Sequence, residues 1–339
     1  AALADLAGGK DLGLKLERRS VFGWVLASVN ASDEKGTNDA LGIIREAKGV
    51  VAVDSVVRQQ ALRLPDDEFV DELWGFQAIG ADLAWDRTIG LPTQRIGMVD
   101  TGINRGHIDL IAKDARGFDF ISFTDLSSDG DGRDADYSDV DPDAGFHGSH
   151  VAGTMLASAD DGIGVPGLNW NAQLVTGRAL GALGGDSVDI VEAAAWMAGA
   201  DVPGVPAIGA DRVSVINLSL GSDNPCSPFQ EDIYGQIISS GVAVVAAAGN
   251  AGNNVPTGAP ANCPGVIAVG AAGPTLELAS YSNFDDRIDV VAPGGDGFGD
   301  DSSAASILSV DGSDDFSYKA IDGTSMATPH VAGVAALLW

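Results

Sequence analysis

The sequence comprises 339 residues, of which 45% are hydrophobic and 20% charged, values that suit one large globular domain with a smaller one beside it. The formal net charge is −29, which argues against nucleic-acid partners because these require a basic surface. No stretch reaches 18 consecutive apolar residues, so we expect no membrane-spanning helix and no membrane partner. Such an acidic composition suits an exported protein, expected to be a monomer, or one that binds hard cations through carboxylates.

Residues 1–64 differ in pattern from the rest and predict a small α+β unit. A strand is predicted over 20–29 and a helix over 37–49. The β-branched run at 50–60 predicts a second strand. Residues 64–72, LPDDEFVDE, are charged and carry a proline, and we interpret them as a joint between this unit and the larger one.

From residue 65 to residue 339, apolar strand-like runs alternate with helix-like patterns. The predicted strands are short and mostly apolar; they cover 95–100, 172–180, 213–220, 242–249, 266–272 and 288–293. The predicted helices cover 186–200 and 229–241. Near-continuous apolar strands separated by helices indicate an α/β fold, with a parallel sheet covered by helices on both faces. Functional sites of such sheets gather at the carboxyl ends of the strands.

One serine near the end of the chain stands in a turn of small residues that runs into an apolar helix pattern. This residue, Ser325, is either a nucleophile or a hydroxyl that caps the helix. A nucleophile needs a base, an acid that orients the base, and a site for the oxyanion. Of the four histidines, His147 is the best candidate base, because it is flanked by glycine at the start of a second small-residue helix pattern.

Two strand ends supply the remaining candidates. Asp100 ends a predicted apolar strand, where a carboxylate needs a partner such as a histidine N–H. Asn250 closes another predicted strand, and its amide can donate to a developing oxyanion. Taken singly, each has a structural explanation as a turn residue. Together with His147 and Ser325 they follow the order Asp, His, Asn, Ser, at spacings of 47, 103 and 75 residues.

The segments around these residues resemble the motifs of the subtilisin family of serine endopeptidases. The matching segments are VDTGI (99–103), HGSHVAGT (147–154), INLSLG (216–221), AAAGN (246–250) and GTSMATPHVAG (323–333). The resemblance covers residues 66–339 and implies hydrolysis of peptide bonds through an acyl-enzyme. It implies a triad of Asp100, His147 and Ser325, with Asn250 as the oxyanion donor. Ser149 departs from the family pattern, which usually has threonine there.

The resemblance also implies how peptide and protein substrates bind. One segment would pair with an extended substrate backbone, opposite an edge at 183–186, and small residues would line the pocket for the side chain before the scissile bond. Small walls imply broad specificity with a preference for large apolar residues. The backbone-pairing residues are Ser219, Leu220 and Gly221, and the pocket residues are Ala247, Ala248, Gly249 and Gly258.

The chain has two cysteines, Cys226 and Cys263, and composition alone leaves open either a disulfide or two buried thiols. A bridge would close a loop of about 37 residues and stabilise the fold by roughly 4 kcal/mol. A finer resemblance, to the exported basic and acidic extracellular proteases of Gram-negative bacteria, implies that the two are bonded. The same resemblance implies a secreted, extracellular protein.

Residues 125–139, DLSSDGDGRDADYSD, place carboxylates at alternating positions around two glycines. This pattern suits Ca²⁺, which takes six to eight oxygen ligands from flexible loops, although a solvated acidic loop is the alternative. In the Gram-negative relatives this segment is a calcium-rich insertion, so the resemblance implies structural Ca²⁺ as the cofactor. The candidate ligands are Asp129, Asp131, Asp134 and Asp139, with a second, weaker site at Asp109 and Asp161.

Residues 1–64 resemble the latter part of the family's prodomain, which assists folding and then acts as an intramolecular inhibitor. The resemblance therefore implies a zymogen, with cleavage expected within 60–70. The chain begins without a basic segment followed by an apolar stretch, so any export signal is expected to have been removed. Only 14 residues follow Ser325, and the resemblance predicts that the peptidase domain continues beyond Trp339.

Two other functions compete with the serine endopeptidase. His147 and His150, three residues apart, could bind zinc from one helical face in a metal-dependent hydrolase, although no third ligand is well placed. A calcium-binding protein with a permanently blocked cleft is the non-enzymatic alternative. An aspartic protease is excluded, because Asp100-Thr101-Gly102 has no second motif of its kind to complete a dyad.

Overall fold

Two units make up the chain, Ala1–Ala61 and Leu62–Trp339. The computed structural model describes residues 12–19, 23–31, 33–56, 64–140, 142–252, 257–297 and 304–339.

In the described part of the smaller unit an antiparallel strand pair is followed by a helix: β1 (Lys15–Arg19), β2 (Val25–Ser28) and α1 (Glu34–Arg45). The helix begins earlier than predicted because the side chain of Asp33 accepts a hydrogen bond from the backbone N–H of Gly36 at 2.7 Å and caps it. Residues 50–56 form no strand, contrary to the prediction, and 57–60 lie outside the described residues.

The larger unit is built on a parallel sheet of seven strands in the order β4-β5-β3-β6-β7-β8-β9. The six predicted strands are all present in this sheet, and its charged edge strand, DARGFD, was not predicted. The strands are β3 (Arg95–Asp100), β4 (Asp114–Asp119), β5 (Gln173–Arg178), β6 (Val215–Leu218), β7 (Ala243–Ala247), β8 (Ile267–Ala272) and β9 (Val290–Pro293).

Helices cover both faces of this sheet, which confirms the predicted α/β fold class. Their bounds are α2 (Trp74–Ala78), α3 (Ala81–Trp85), α4 (Thr124–Ser127), α5 (His147–Leu156), α6 (Ser187–Met197), α7 (Pro228–Ser239) and α8 (Thr324–Leu338). Three short 3₁₀ turns cover Val70–Glu72, Pro142–Ala144 and Gly209–Asp211. None of the helices in the described part of the chain is long and apolar enough to span a membrane.

The sheet separates two hydrophobic clusters because side chains alternate along each strand. On β3, Ile96 and Met98 join the cluster formed with α5 and α8, whereas Val99 joins the cluster formed with α6 and α7. The small residues of α8 allow close packing: a Cβ at Gly333 would lie 2.8 Å from the side chain of Leu168. This packing holds the first residues of α5 and α8 at the carboxyl edge of the sheet.

A hairpin that the sequence analysis missed, β10 (Ile307–Val310) with β11 (Tyr318–Ile321), leads into α8. The disulfide between Cys226 and Cys263, which the resemblance implied, is confirmed. It links the residue before the capping Ser227 of α7 to the turn that precedes β8.

Candidate active site

Neighbouring parallel strands bring the candidate residues together at one edge of the sheet. β3 pairs with β6 so that Met98 lies opposite Asn217. Two residues further along the same register, Asp100 at the end of β3 lies level with Ser219, just beyond β6. The strand ends thus bring an acid on one strand beside a backbone segment that contacts Ser325.

Asp100 and His147 form a hydrogen-bonded pair. The Nδ1 atom of His147, the first residue of α5, lies 2.7 Å from Oδ1 of Asp100. Because an ionised carboxylate only accepts, Nδ1 is the donor and Nε2 is left as the acceptor of a neutral ring. Asp100 is fully buried, whereas the His147 side chain is 25% exposed. Burial acts to lower the pKa of His147, but the charge and hydrogen bond of Asp100 outweigh it and hold the pKa above its ordinary value.

Ser325 is the second residue of α8, in the first turn, where backbone N–H groups have no acceptor within the helix. Two hydrogen bonds tie it to Ser219: the Ser325 hydroxyl donates to the Ser219 carbonyl at 3.1 Å, and the Ser219 hydroxyl donates to the Ser325 carbonyl at 2.8 Å. The buried Asn217 amide donates to the Ser219 hydroxyl at 2.9 Å and so orients it. The partner of the Ser325 hydroxyl is therefore the Ser219 carbonyl and not His147.

Asn250 follows β7 and is oriented by the start of α8. Its Oδ1 atom accepts hydrogen bonds from the backbone N–H and from the hydroxyl of Thr324, at 2.9 and 2.8 Å. The Thr324 hydroxyl in turn accepts from the backbone N–H of Gly249 at 3.2 Å. With its oxygen engaged, Asn250 turns its amide nitrogen away from Thr324, and that nitrogen remains able to donate to a ligand.

A pocket of about 310 Å³ opens beside Asn250 and Ser325, within the size range of small-ligand pockets. Six of the seven predicted substrate-binding residues line it: Leu220, Gly221, Ala247, Ala248, Gly249 and Gly258. The seventh, Ser219, is buried and bonded to Ser325. Gly258 must be glycine, because a Cβ there would lie 1.4 Å from the carbonyl oxygen of Ser222.

The predicted opposing edge at 183–186 is a turn followed by a helix cap. Gly181 and Gly184 exchange backbone hydrogen bonds of 3.1 and 2.9 Å around a two-residue turn, at which Leu183 is 80% exposed. Asp186 caps α6 by accepting from the N–H of Val188 at 2.7 Å. Nothing in these contacts tests whether the segment meets a substrate, so that role stays a prediction.

The acidic loop places its four candidate calcium ligands in different surroundings. Asp129 bonds the buried guanidinium of Arg178 at 2.6 Å, and Asp131 donates its backbone N–H to Asp129. Asp134 accepts from the backbone N–H of Asp136 at 2.7 Å, and the buried Asp139 accepts from the Thr101 hydroxyl. Among the described residues, no group of three His, Cys, Asp or Glu side chains is spaced to hold a metal ion. Calcium in this loop stays a prediction.

Asp109 has a second acidic partner that the sequence analysis missed. Asp67 and Asp109 are 2% and 1% exposed, and one oxygen of each, Oδ1, is buried without a hydrogen-bond partner. Burial and, to a smaller extent, the charge of the neighbouring Asp161 raise the pKa of both carboxyls to about 6. Two buried, partnerless carboxylate oxygens suit a hard cation with oxygen ligands. No sequence signal marks Asp67, which lies in the segment 64–72 that the sequence analysis interpreted as a joint.

His150 contradicts the zinc alternative. Its Nε2 atom lies 3.0 and 3.1 Å from the backbone carbonyls of Ile307 and Lys319, so it donates to the β10–β11 hairpin. The side chain is fully buried, and burial lowers its pKa to about 3. His147 points its Nδ1 atom to Asp100. The two rings thus serve different partners and do not share a metal.

These features define an α/β class in which Asn and Ser side chains line a pocket at the carboxyl edge of a parallel sheet, with a hydrogen-bonded Asp–His pair at the same edge. A family model described as the subtilase family matches residues 93–339, and the chain belongs to that family. The sequence resemblance to the subtilisins is therefore confirmed.

Similar proteins come from several bacteria. An extracellular protease of Xanthomonas campestris pv. campestris is 38% identical over 97% of this chain and 59% of its own length. An extracellular basic protease of Dichelobacter nodosus is 34% identical over 85% of this chain and 50% of its own. A solved protease of Pseudoalteromonas arctica PAMC 21717 has a TM-score of 0.75 at 37% identity, covering 81% of this chain and 86% of that one. The chain thus spans half to three fifths of the length of the first two relatives.

Proposed function

We propose that the protein is a secreted serine endopeptidase that cleaves peptide and protein substrates through an acyl-enzyme. The observation that supports this most directly is the 2.7 Å bond between His147 Nδ1 and buried Asp100 at the end of β3. The neighbouring strand, β6, leads to Ser219, which is hydrogen-bonded to Ser325. The names of the relatives, extracellular proteases, support both the activity and the secreted location.

In the proposed mechanism, the Ser325 hydroxyl turns from the Ser219 carbonyl toward the free Nε2 of His147. Its oxygen attacks the peptide carbonyl while His147 takes the proton, and buried Asp100 stabilises the imidazolium that forms. The negative carbonyl oxygen accepts from the Asn250 amide and from the backbone N–H of Ser325, whose position in the first turn of α8 favours negative charge. The intermediate collapses, the departing amine takes the proton from His147, and water then hydrolyses the acyl-enzyme by the same steps.

The pocket supports a preference for large apolar side chains before the scissile bond. The pocket of about 310 Å³ is lined by small residues, Ala247, Ala248 and Gly249, so most of its volume is available to a substrate side chain. The exposed carboxylate of Asp223 also lines this pocket. Specificity beyond this preference would come from backbone pairing with 219–221.

We propose structural Ca²⁺ as the cofactor, with Asp67 and Asp109 as its best supported carboxylate ligands. When bound, the ion would supply charge to two buried carboxylates whose repulsion and burial otherwise destabilise the fold. Asp161, the other residue predicted for this site, is exposed and raises the pKa of both carboxyls through its charge, but the three carboxylates are not spaced as a metal-binding group.

We also propose that residues 1–64 are a prodomain that inhibits the enzyme until it is cleaved. The separation of Ala1–Ala61 as its own unit, whose described residues include α1 and the β1–β2 pair, is compatible with this role.

Labelling with a fluorophosphonate, read by mass spectrometry, tests the proposal. We expect one adduct, on Ser325, that is absent from Ser325→Ala and strongly reduced in His147→Ala. Self-processing within 60–70 is likewise expected for the unmodified chain and not for Ser325→Ala. An adduct elsewhere, or peptide hydrolysis that persists in Ser325→Ala, would refute the serine mechanism.

A further inference from the structure

A second buried carboxylate stands behind the Asp100–His147 pair. Asp139 is 7% exposed, and one of its oxygens, Oδ2, accepts a hydrogen bond from the hydroxyl of Thr101, the residue next to Asp100. Thr101 is 5% exposed and donates its own backbone N–H to Oδ1 of Asp100 at 2.8 Å. The oxygen that binds His147 is thus held from behind by the same residue that contacts Asp139.

The Thr101 hydroxyl also contacts the helix that carries His147. Its oxygen accepts the backbone N–H of Gly148, in the first turn of α5, at 2.9 Å. A hydroxyl has one proton to donate and can accept through its lone pairs. Because the Thr101 hydroxyl donates its hydrogen bond to Asp139, its oxygen acts as the acceptor for the Gly148 N–H. One side chain therefore joins the end of β3 to the start of α5.

Two glycines make this close packing possible. A Cβ at Gly102 would lie 2.5 Å from the carbonyl oxygen of Tyr137 and 2.9 Å from the nitrogen of Asp139. A Cβ at Gly148 would lie 2.1 Å from the carbonyl oxygen of Gly102. The backbone also joins the two segments: the Asp139 N–H donates to the carbonyl of Ile103, three residues after the end of β3, at 3.0 Å.

We propose that Asp139 is a positioning residue of the active site, acting through the Thr101 hydroxyl to hold His147 in line with Asp100. This inference rests on the proposed serine endopeptidase mechanism. It gives Asp139 a role other than that of a calcium ligand in the acidic loop. The expected loss when the link is broken is about 10- to 100-fold in kcat, since misplacement of a reacting group by about 1 Å can cost 10²-fold.

Conservative variants test the link while sparing the fold. Thr101→Val removes the hydroxyl at nearly constant volume, and we expect kcat for a peptide anilide to fall about 10- to 100-fold with KM within twofold. Thr101→Ser keeps the hydroxyl and is expected to restore kcat to within threefold. Asp139→Ala removes the acceptor, which Asp139→Asn would keep in its amide oxygen, and should act like Thr101→Val; the double variant should be no worse than the stronger single one, because both changes remove the hydrogen bond between Thr101 and Asp139.

The pH dependence of kcat/KM is a second measurement, and a general loss of structure would not shift its acidic limb. The charged or titratable groups acting on His147 are Asp100 from β3, Asp139, Lys319 from β11, and His150 one turn along α5. Asp139 raises the pKa of His147, so its neutralisation should shift the acidic limb of kcat/KM to lower pH. Asp136→Asn is the matched control: it removes an exposed carboxylate of the same loop and should change neither kcat nor the limb.

The outcomes separate this inference from the proposed function. An active Asp139→Ala variant with an unshifted limb would overturn the positioning role, as would full recovery of its kcat with added Ca²⁺, which would make Asp139 a metal ligand. Should Asp139→Ala fail to fold, the comparison of Thr101→Val with Thr101→Ser decides. Activity that survives in Ser325→Ala would instead refute the serine mechanism itself.

Discussion

Replacing Asn250 by alanine should slow the chemical step and leave substrate binding almost unchanged. The Asn250 amide nitrogen is turned away from Thr324, because its oxygen accepts two hydrogen bonds from that residue at 2.9 and 2.8 Å. A donor fixed before the reaction stabilises the oxyanion more than it stabilises the neutral carbonyl of the bound substrate. Its removal is expected to cost about 2.7–4 kcal/mol, or about 10²–10³ in kcat, as known for the corresponding donor of subtilisin.

The effect on stability should be small by comparison. Asn250→Ala removes two hydrogen bonds at an exposed side chain, worth about 0.5–1.5 kcal/mol each. The Thr324 hydroxyl keeps its contact with the Gly249 N–H. We therefore expect the melting temperature to fall by only a few degrees.

The assay is steady-state hydrolysis of a peptide anilide, with kcat and KM measured separately and the active-site concentration titrated. Thr324→Val is the companion variant: it keeps the Asn250 amide but removes one of its two anchors, and about a tenfold loss in kcat is expected. Thr324→Ser should remain close to the unmodified enzyme. A rise in KM at constant kcat for Asn250→Ala would refute the reasoning, because it would assign the amide to ground-state binding.

Further expected outcomes concern protonation, calcium and the disulfide. In a pH titration, kcat/KM should rise through a pKa above 6.5, because His147 acts as a base only when neutral and its pKa is raised. Asp100→Asn should move this acidic limb of the profile to lower pH and reduce kcat about 10⁴-fold. In EGTA, thermal stability should fall as the pH rises from about 4 to 6, because the pKa values of Asp67 and Asp109 are higher in the folded protein than in the unfolded chain. Above pH 6, Ca²⁺ at 100 times its Kd should restore about 2.7 kcal/mol of stability, and melting curves that do not change with Ca²⁺ would contradict the site. Replacing Cys226 and its partner by serine should lower the free energy of unfolding by about 4 kcal/mol in urea titrations, because the bridge spans 37 residues; a loss below about 1 kcal/mol would argue against this effect of the loop.

Local pattern was sufficient for the strands that carry the site, because buried parallel strands are continuous apolar runs. Arg95–Asp100 and Ile267–Ala272 coincide closely with their predicted bounds. The missed strand Asp114–Asp119 is charged and lies at the sheet edge, where one side lacks a neighbour and burial is partial. The predicted strand at 50–60 fails over 50–56, where β-branched residues find no partner strand to pair with.

The sequence by itself determined the residue types of the site, their order and the family motifs, since these are properties of short segments. Tertiary structure decided which atoms meet. Thr324 orients Asn250 across 74 residues of chain, and Asp139, the last residue of the acidic loop, accepts a hydrogen bond from Thr101. Asp67 lies close enough to Asp109 for its charge to raise the pKa of Asp109, although no sequence motif marks Asp67. Such pairings depend on how strand ends and helix starts from distant parts of the chain pack together. Whether two groups form a hydrogen bond is decided by differences of a few tenths of an ångström in their separation, and the local sequence carries no signal for such differences.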